Sequence, residues 1–168
     1  MAEITTAMIK ELREATQCGV MDAKRALEAA GGDMKAAREV IREQGLLAAA
    51  KRSGREANQG VVEAYIHGGG RIGVLIELNC ETDFVANTEA FRQLAKDVAM
   101  QVAAMNPLVV SAADRTPEME GSDAEVALLS QPFIRDSGRT IGELVTDVIA
   151  RTGENVRVSR FTRFELGR

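Results

Sequence analysis

Between residues 53 and 60 the spacing of apolar residues along this chain changes from a helical to an alternating period, and nothing else in the sequence constrains the fold as strongly. Before the change, Met8, Ile9, Leu12 and Ala15 share one helical stripe, followed by Val20, Ala23, Leu27 and Ala30, then by Met34, Ala37, Val40 and Ile41. After it, Val62, Ala64 and Ile66 alternate with Glu63, Tyr65 and His67, and Ile72, Val74, Ile76 and Leu78 alternate with Gly73, Leu75, Glu77 and Asn79. Each stripe needs a surface to bury against. A run of helices followed by a run of strands predicts an α+β protein, with helices packed on one face of a small antiparallel sheet.

Residues 1–52 read as a three-helix module. Gly31-Gly32 stops the second helix, Asp33 caps the third, and the third is predicted to end near Gly45 and lead into a short helical piece from Leu46 to Arg52. A unit of this size is marginally stable alone and suits partner docking. The polar, glycine-containing stretch SGREANQG marks a boundary, with residues 53–59 as linker. Residues 60–168 form the predicted core domain. Antiparallel strands near 60–67 and 71–80 are joined by Gly68-Gly69-Gly70, which allows a tight turn. The longest helix is expected near 88–105, with Phe91, Leu94, Ala95, Val98, Val102 and Met105 on one face. Residues 108–123, flanked by Pro107 and containing Pro117, read as a surface excursion of limited order, and Ala124–Ser130 as a short helix. Thr140 caps an amphipathic helix near 140–152, and a last strand is expected near 156–166. There Phe161 breaks the parity of Val156, Val158, Phe164 and Leu166, predicting a bulge or a second contact face.

Composition excludes several functions. The 168 residues carry a net charge of −4, against a protein that holds nucleic acid through phosphate neutralisation. Residues 1–56 are net +1 and residues 57–168 net −5, a mixed surface better matched to a protein partner. No apolar run is long enough to span a bilayer, and the first ten residues do not resemble a signal peptide, so a cytoplasmic location is expected. Two cysteines, Cys18 and Cys80, and one histidine, His67, supply neither a disulfide framework nor a zinc ligand set.

The chemistry-bearing residues are sparse. His67 abuts a glycine turn with no identifiable partner for general-base work, and Gly68–Gly70 leads into a strand where no helix start can hold a phosphate. Glu77, Glu81 and Asp83 form the densest carboxylate group, which reads as a solvated acidic edge rather than a cation site. No catalytic residue, metal site or cofactor of its own is expected. The stretch NCETDFVAN, Asn79–Asn87, stands apart, because an apolar strand runs directly into an acid, an aromatic and a helix start. Two readings are open from the residues alone. Thr82 or Asp83 caps the helix while Phe84 and Val85 pack beneath it; or the Phe84 ring enters a partner's pocket while Asp83 acts on something polar nearby.

Three separated motifs are similar to the bacterial elongation factor Ts family. They are the head ITTAMIKELREATQCGVMDAKRALEAAGGDMKAA, the corner TDFVA, and the tail TIGELVTDVIARTGENVRVSRFTRFEL, in order over nearly the whole chain. The resemblance implies that the head is a ubiquitin-associated-like module and that the protein is a guanine-nucleotide exchange factor of elongation factor Tu, not an enzyme. It further implies that Thr82, Asp83, Phe84 and Val85 dislodge Mg²⁺ in the partner, with no cofactor beyond the GDP and Mg²⁺ that the partner carries. The head would dock the partner through Leu12, Val20, Met21 and Lys24. The chain stops after Phe164-Glu165-Leu166, where longer members of the family continue into a second core subdomain. That difference leads to the expectation of a homodimer and a two-to-two complex, with Phe161 at the interface. The competing expectation is a ubiquitin-like or peptide-binding adaptor on an unrelated α+β body, which leaves the corner and the tail unexplained.

Overall fold

The computed structural model describes residues 4–168. Three helices come first: α1 (Thr6–Thr16), α2 (Val20–Ala29) and α3 (Met34–Arg52). Strands β1 (Gln59–His67) and β2 (Ile72–Cys80) form a hairpin, followed by the single-turn helix α4 (Asp83–Ala86) and by α5 (Glu89–Met105). A short helix α6 (Asp123–Val126), a small ladder of β3 (Pro132–Phe133) and β4 (Asp136–Thr140), helix α7 (Ile141–Thr152) and strand β5 (Arg157–Glu165) complete the chain. The protein is thus α+β, with an antiparallel three-stranded sheet in the order β1-β2-β5.

Local chemistry sets the helix ends. Asp33 Oδ1 accepts the Ala36 N–H at 2.7 Å, and Thr140 and Glu143 form a reciprocal capping box at the start of α7. At the exits of α1, α5 and α7, Gln17, Asn106 and Gly153 adopt left-handed backbone.

The third helix does not end near Gly45. It runs 19 residues without interruption and is longer than the 17-residue α5. Gly45 instead marks where α3 crosses α7, because a Cβ at this position would lie 3.3 Å from Thr146 Cγ2. Glycine in a helix interior costs about 1 kcal/mol relative to alanine, and close helix approach is a packing reason to keep it there. Beside this contact, Arg42 spans from Glu39 on its own helix to Glu143 on α7, each at 3.0 Å.

Two apolar clusters result. In the first, Leu12, Ala23, Ala26, Leu27 and Ala37 are fully buried among α1–α3. The second is larger and surrounds Phe91, Ile76, Leu78, Leu128 and Ile141, with Ala49 of α3 packed against it. Met105, expected on the buried face of α5, lies at its exposed end.

Among the described residues only one face of the sheet is covered. Val61 and Tyr65 of β1, Val74, Ile76 and Leu78 of β2, and Val158 and Phe161 of β5 face α5 and the core. The alternating set Val62, Ala64 and Ile66 therefore points outward, and Val62 and Ile66 are exposed. In β5 the pairing shifts between Glu77↔Arg160 and Leu78↔Val158, leaving Ser159 as an extra residue. The bulge turns Phe161 inward and Phe164 and Leu166 outward. Phe161, expected at an interface, is instead half-buried against the core, while Phe164 and Leu166 are exposed.

Residues 108–123 are better ordered than their prolines and missing period implied. The Leu108 and Val109 amides donate to Val126 O at 2.9 and 3.1 Å, and the Leu128 amide returns a bond to Val109 O at 2.9 Å. Within the segment, the Arg115 guanidinium donates to Met119 O and Gly121 O at 3.0 and 2.7 Å.

Candidate partner-docking site

The corner between β2 and α5 separates its two neighbouring apolar residues sharply. Thr82 is extended and caps α4, its hydroxyl accepting the Val85 N–H at 3.4 Å. Val85 and Ala86 then point into the core and are buried. Phe84 points away and is 82 % exposed, the highest value among the large apolar residues that face solvent. The reading in which Phe84 packs beneath the cap is overturned, while its other half, a capping Thr82 with Val85 packed below, is what the structure has. An exposed phenylalanine on a short helix is costly to leave in water, since burial of such a side chain is worth about 1.5–3 kcal/mol.

Beneath the exposed ring, polar groups fix the backbone from several directions. The Glu154 carboxylate, just past the end of α7, accepts from the Glu81 and Thr82 amides at 3.1 and 3.0 Å and from the Thr82 hydroxyl at 2.6 Å. The Asn155 amide donates to Glu81 Oε1 at 2.6 Å, and the buried Asn155 side chain donates to Arg55 O at 2.8 Å and Ser53 O at 3.4 Å. Arg55 lies 3.4 Å from the same Glu81 carboxylate. On the far side of α4, the Asn87 side chain donates to Asp83 O at 2.9 Å and accepts from Arg92 at 3.1 Å. The exits of β2, α3 and α7 therefore meet at one joint under α4. The sequence gives no sign of this role for Glu154 and Asn155, because their partners lie more than seventy residues away.

The remaining chemistry-bearing residues are structural. Cys80 is buried, and its thiol donates to Thr82 O at 3.1 Å. Burial, and then the neighbouring Glu154 charge, push this thiol up to about 11, the opposite of an activated nucleophile. Glu77 pairs with Arg160 at 2.7 Å, which holds its carboxyl below the ordinary range. His67 lies beside Tyr65, with ring centroids 5.9 Å apart. Among the described residues no group of three or more His, Cys, Asp or Glu side chains is placed to hold a metal ion. No helix among them is long and apolar enough to cross a membrane.

On the head, the residues singled out for docking divide. Leu12 is fully buried and forms part of the three-helix core. Val20 and Met21, at the start of α2, are 52 % and 62 % exposed, so they do not close that core. Lys24 is also at the surface, 3.8 Å from Glu28.

The described residues thus present an exposed aromatic on a braced corner and exposed apolar residues at the start of α2. A family model described as Elongation factor TS matches residues 2–120. Proteins named Elongation factor Ts from Carboxydothermus hydrogenoformans and Desulforamulus reducens are each 50% identical to this chain. The matches cover 98% and 99% of it and 89% and 91% of the relatives. One from Caldanaerobacter subterraneus is 47% identical over 98% of this chain and 97% of its own length. The chain belongs to the elongation factor Ts family of translation elongation factors, which are nucleotide exchange factors. The alignments extend over 194 or 197 positions against 168 residues here, so these relatives carry internal positions that this chain lacks.

Proposed function

We propose that the protein binds elongation factor Tu in its GDP form and releases the GDP by disturbing the Mg²⁺ and phosphate site, after which GTP reloads. The observation that carries this reading is the 82 % exposure of Phe84 above a buried Val85 and Ala86. The ring is free to enter a partner while the backbone beneath it stays anchored. Thr82 caps the turn, Val85 roots it in the core, and Asp83 and Phe84 are the two groups presented outward. Mg²⁺ demands near-ideal octahedral geometry and bridges nucleotide phosphates, so a small shift of its surroundings weakens nucleotide binding. Each 1.4 kcal/mol lost there is about a tenfold loss of affinity. Linkage runs both ways, so incoming nucleotide weakens the hold of the factor in turn. The factor needs no cofactor of its own, and its place of action is the cytoplasm.

The domain assignment belongs to the same proposal. Residues 1–52 act as a ubiquitin-associated-like docking module, residues 53–59 as a linker and residues 60–168 as the core; residues 1–3 of the module lie outside those described. Val20, Met21 and Lys24 make the docking contact, and Leu12 holds the helices behind it. A second copy pairs across the outer sheet face, giving a two-to-two complex. There Val62, Ile66, Leu75 and Phe164 are exposed on three adjacent strands, with Leu166 just past the last of them, and a two-fold arrangement buries the same patch from both copies. A strictly monomeric mass in light scattering at micromolar concentration would reject that pairing.

Release of labelled GDP from elongation factor Tu tests the exchange activity. The wild-type protein is expected to accelerate release, and Phe84→Ala to lose about tenfold or more of that acceleration. The melting temperature of Phe84→Ala should stay within about 2 °C of wild type, because the exposed ring contributes little to the folded core. No acceleration by the wild type rejects the proposal.

A further inference from the structure

We infer that Glu154 is a positioning residue for exchange: its carboxylate fixes the backbone at Glu81 and Thr82 and thereby aims Phe84. The inference rests on the proposed role of the corner. It starts from a difficulty in the corner itself. A helix of four residues such as α4 is too short to persist through its own hydrogen bonds. Its cap is weak, since the Val85 amide lies 3.4 Å from the Thr82 hydroxyl. The Phe84 side chain, almost wholly in solvent, cannot anchor itself. Its direction is therefore inherited from the main chain immediately before it.

Glu154 meets that need. One oxygen takes two consecutive amides, at 3.1 and 3.0 Å, and the other takes the Thr82 hydroxyl at 2.6 Å. Three donors within two residues fix the orientation of the peptide plane between Glu81 and Thr82 as well as its location. The hydroxyl bond also orients Thr82 so that its oxygen faces the Val85 amide. Bonds to a charged acceptor are about twice as strong as neutral ones. The carboxylate is itself held: Gly153, in left-handed conformation at φ +73°, ends α7, and the next residue but one, Asn155, donates its amide to Glu81 at 2.6 Å. Each carboxylate thus accepts a backbone amide from across the joint, Glu154 from Glu81 and Glu81 from Asn155. The brace therefore transmits the position of α7 to Phe84, and α7 is the helix against which α3 of the head crosses at Gly45.

Two substitutions separate positioning from charge. In Glu154→Gln the amide carbonyl can still accept both backbone donors while the NH2 donates to the Thr82 hydroxyl, so the geometry survives. In Glu154→Ala all three bonds are lost. The full-length protein is measured by GDP release from elongation factor Tu at saturating factor, by the factor concentration giving half of that rate, and by amide hydrogen exchange of the free protein. Glu154→Ala is expected to lower the saturating rate about tenfold, in line with the cost of small misplacements, while the half-saturating concentration, set largely by the docking contact of the head, changes less than about threefold. Glu154→Gln is expected to stay within about threefold of wild type in both. Combining Glu154→Ala with Phe84→Ala should slow release no further than Phe84→Ala alone, since a residue that acts by aiming the ring has nothing left to aim.

Exchange of the amides from Glu81 to Val85 should rise in Glu154→Ala while those of β2 and α5 stay protected. This readout concerns the free protein, so it tests the brace even if the wild type fails to accelerate GDP release and the functional reading falls. Unchanged protection at Glu81–Val85, an unchanged saturating rate, or fully additive losses in the double variant overturn the inference. If Glu154→Ala does not fold, Thr82→Val removes the hydroxyl arm together with the weak α4 cap that the same hydroxyl makes, and leaves the two amide bonds to Glu154; the same measurements apply with a smaller expected loss of rate.

Discussion

The head and the body bury their apolar residues in different ways. Helices α1–α3 close over Leu12 and Leu27 together with three alanines, Ala23, Ala26 and Ala37. The body closes over aromatic and branched side chains, with Phe91 fully buried between sheet and helices. Alanines let helices approach closely but remove little apolar surface from water, and that surface supplies most of the stabilisation at roughly 25 cal/mol per Å². The head is therefore the weaker unit and draws support from α7 through the Gly45 crossing and Arg42. In the proposed function the body carries Phe84 and the head carries Val20 and Met21, so the two clusters underlie different contacts.

The largest effect that tests this contrast is expected from Phe91→Ala. Loss of a fully buried phenylalanine typically costs 3–5 kcal/mol, and denaturant titration should show the whole molecule unfolding earlier in one transition. Leu27→Ala should cost about 3 kcal/mol, but locally. Hydrogen exchange should accelerate across α1–α3 while β2 and α5 keep their protection. If both regions lose protection together, the two clusters form one cooperative unit and the contrast fails. Gly45→Leu should push α3 away from α7 at a cost of about 1–3 kcal/mol. Faster exchange in α1–α3 would then show how far the head leans on that crossing.

The smallest expected effect belongs to the body alone and depends on pH. The Cys80 thiol is held up to about 11 in the folded protein against an ordinary value of 9.0. The unfolded chain loses this proton first, so the stability linked to it is complete below pH 9 and declines as pH rises towards 11. The urea midpoint should fall over that window in the wild type and fall less in Cys80→Ala. Exchange within the head should show no matching step.

The α+β class was legible because hydrophobic period is a local property, and so were the Asp33 and Thr140 caps, whose partners lie three residues away. The irregularity in the last strand was legible from Phe161 alone. Other features required the partner to be seen. Gly45 has the signature of a helix end, and only its closeness to Thr146, a hundred residues on, explains why the helix continues. Alternation in β1 sorts residues into two sets without saying which set faces the core, and Tyr65 with Val61 won the inner side over Val62 and Ile66. In the corner, Thr82, Asp83, Phe84 and Val85 were visible as a motif, whereas Glu154 and Asn155, which hold it, were hidden by their distance along the chain. Leu12 was grouped for docking with Val20, Met21 and Lys24 of the next helix, and only packing assigns it to the interior.

The extra residue at Ser159 also guards against misregistration during folding. If the last strand slipped by one position to iron out the bulge, Arg160 would stand opposite the buried Ile76, Thr162 opposite the buried Val74, and Phe161 would turn into water. An uncompensated guanidinium in the interior is among the costliest errors a sheet can make. The native register instead seats Arg163 on that face with partners already in place, Glu165 and the Ala103 carbonyl, which the slipped strand would forfeit.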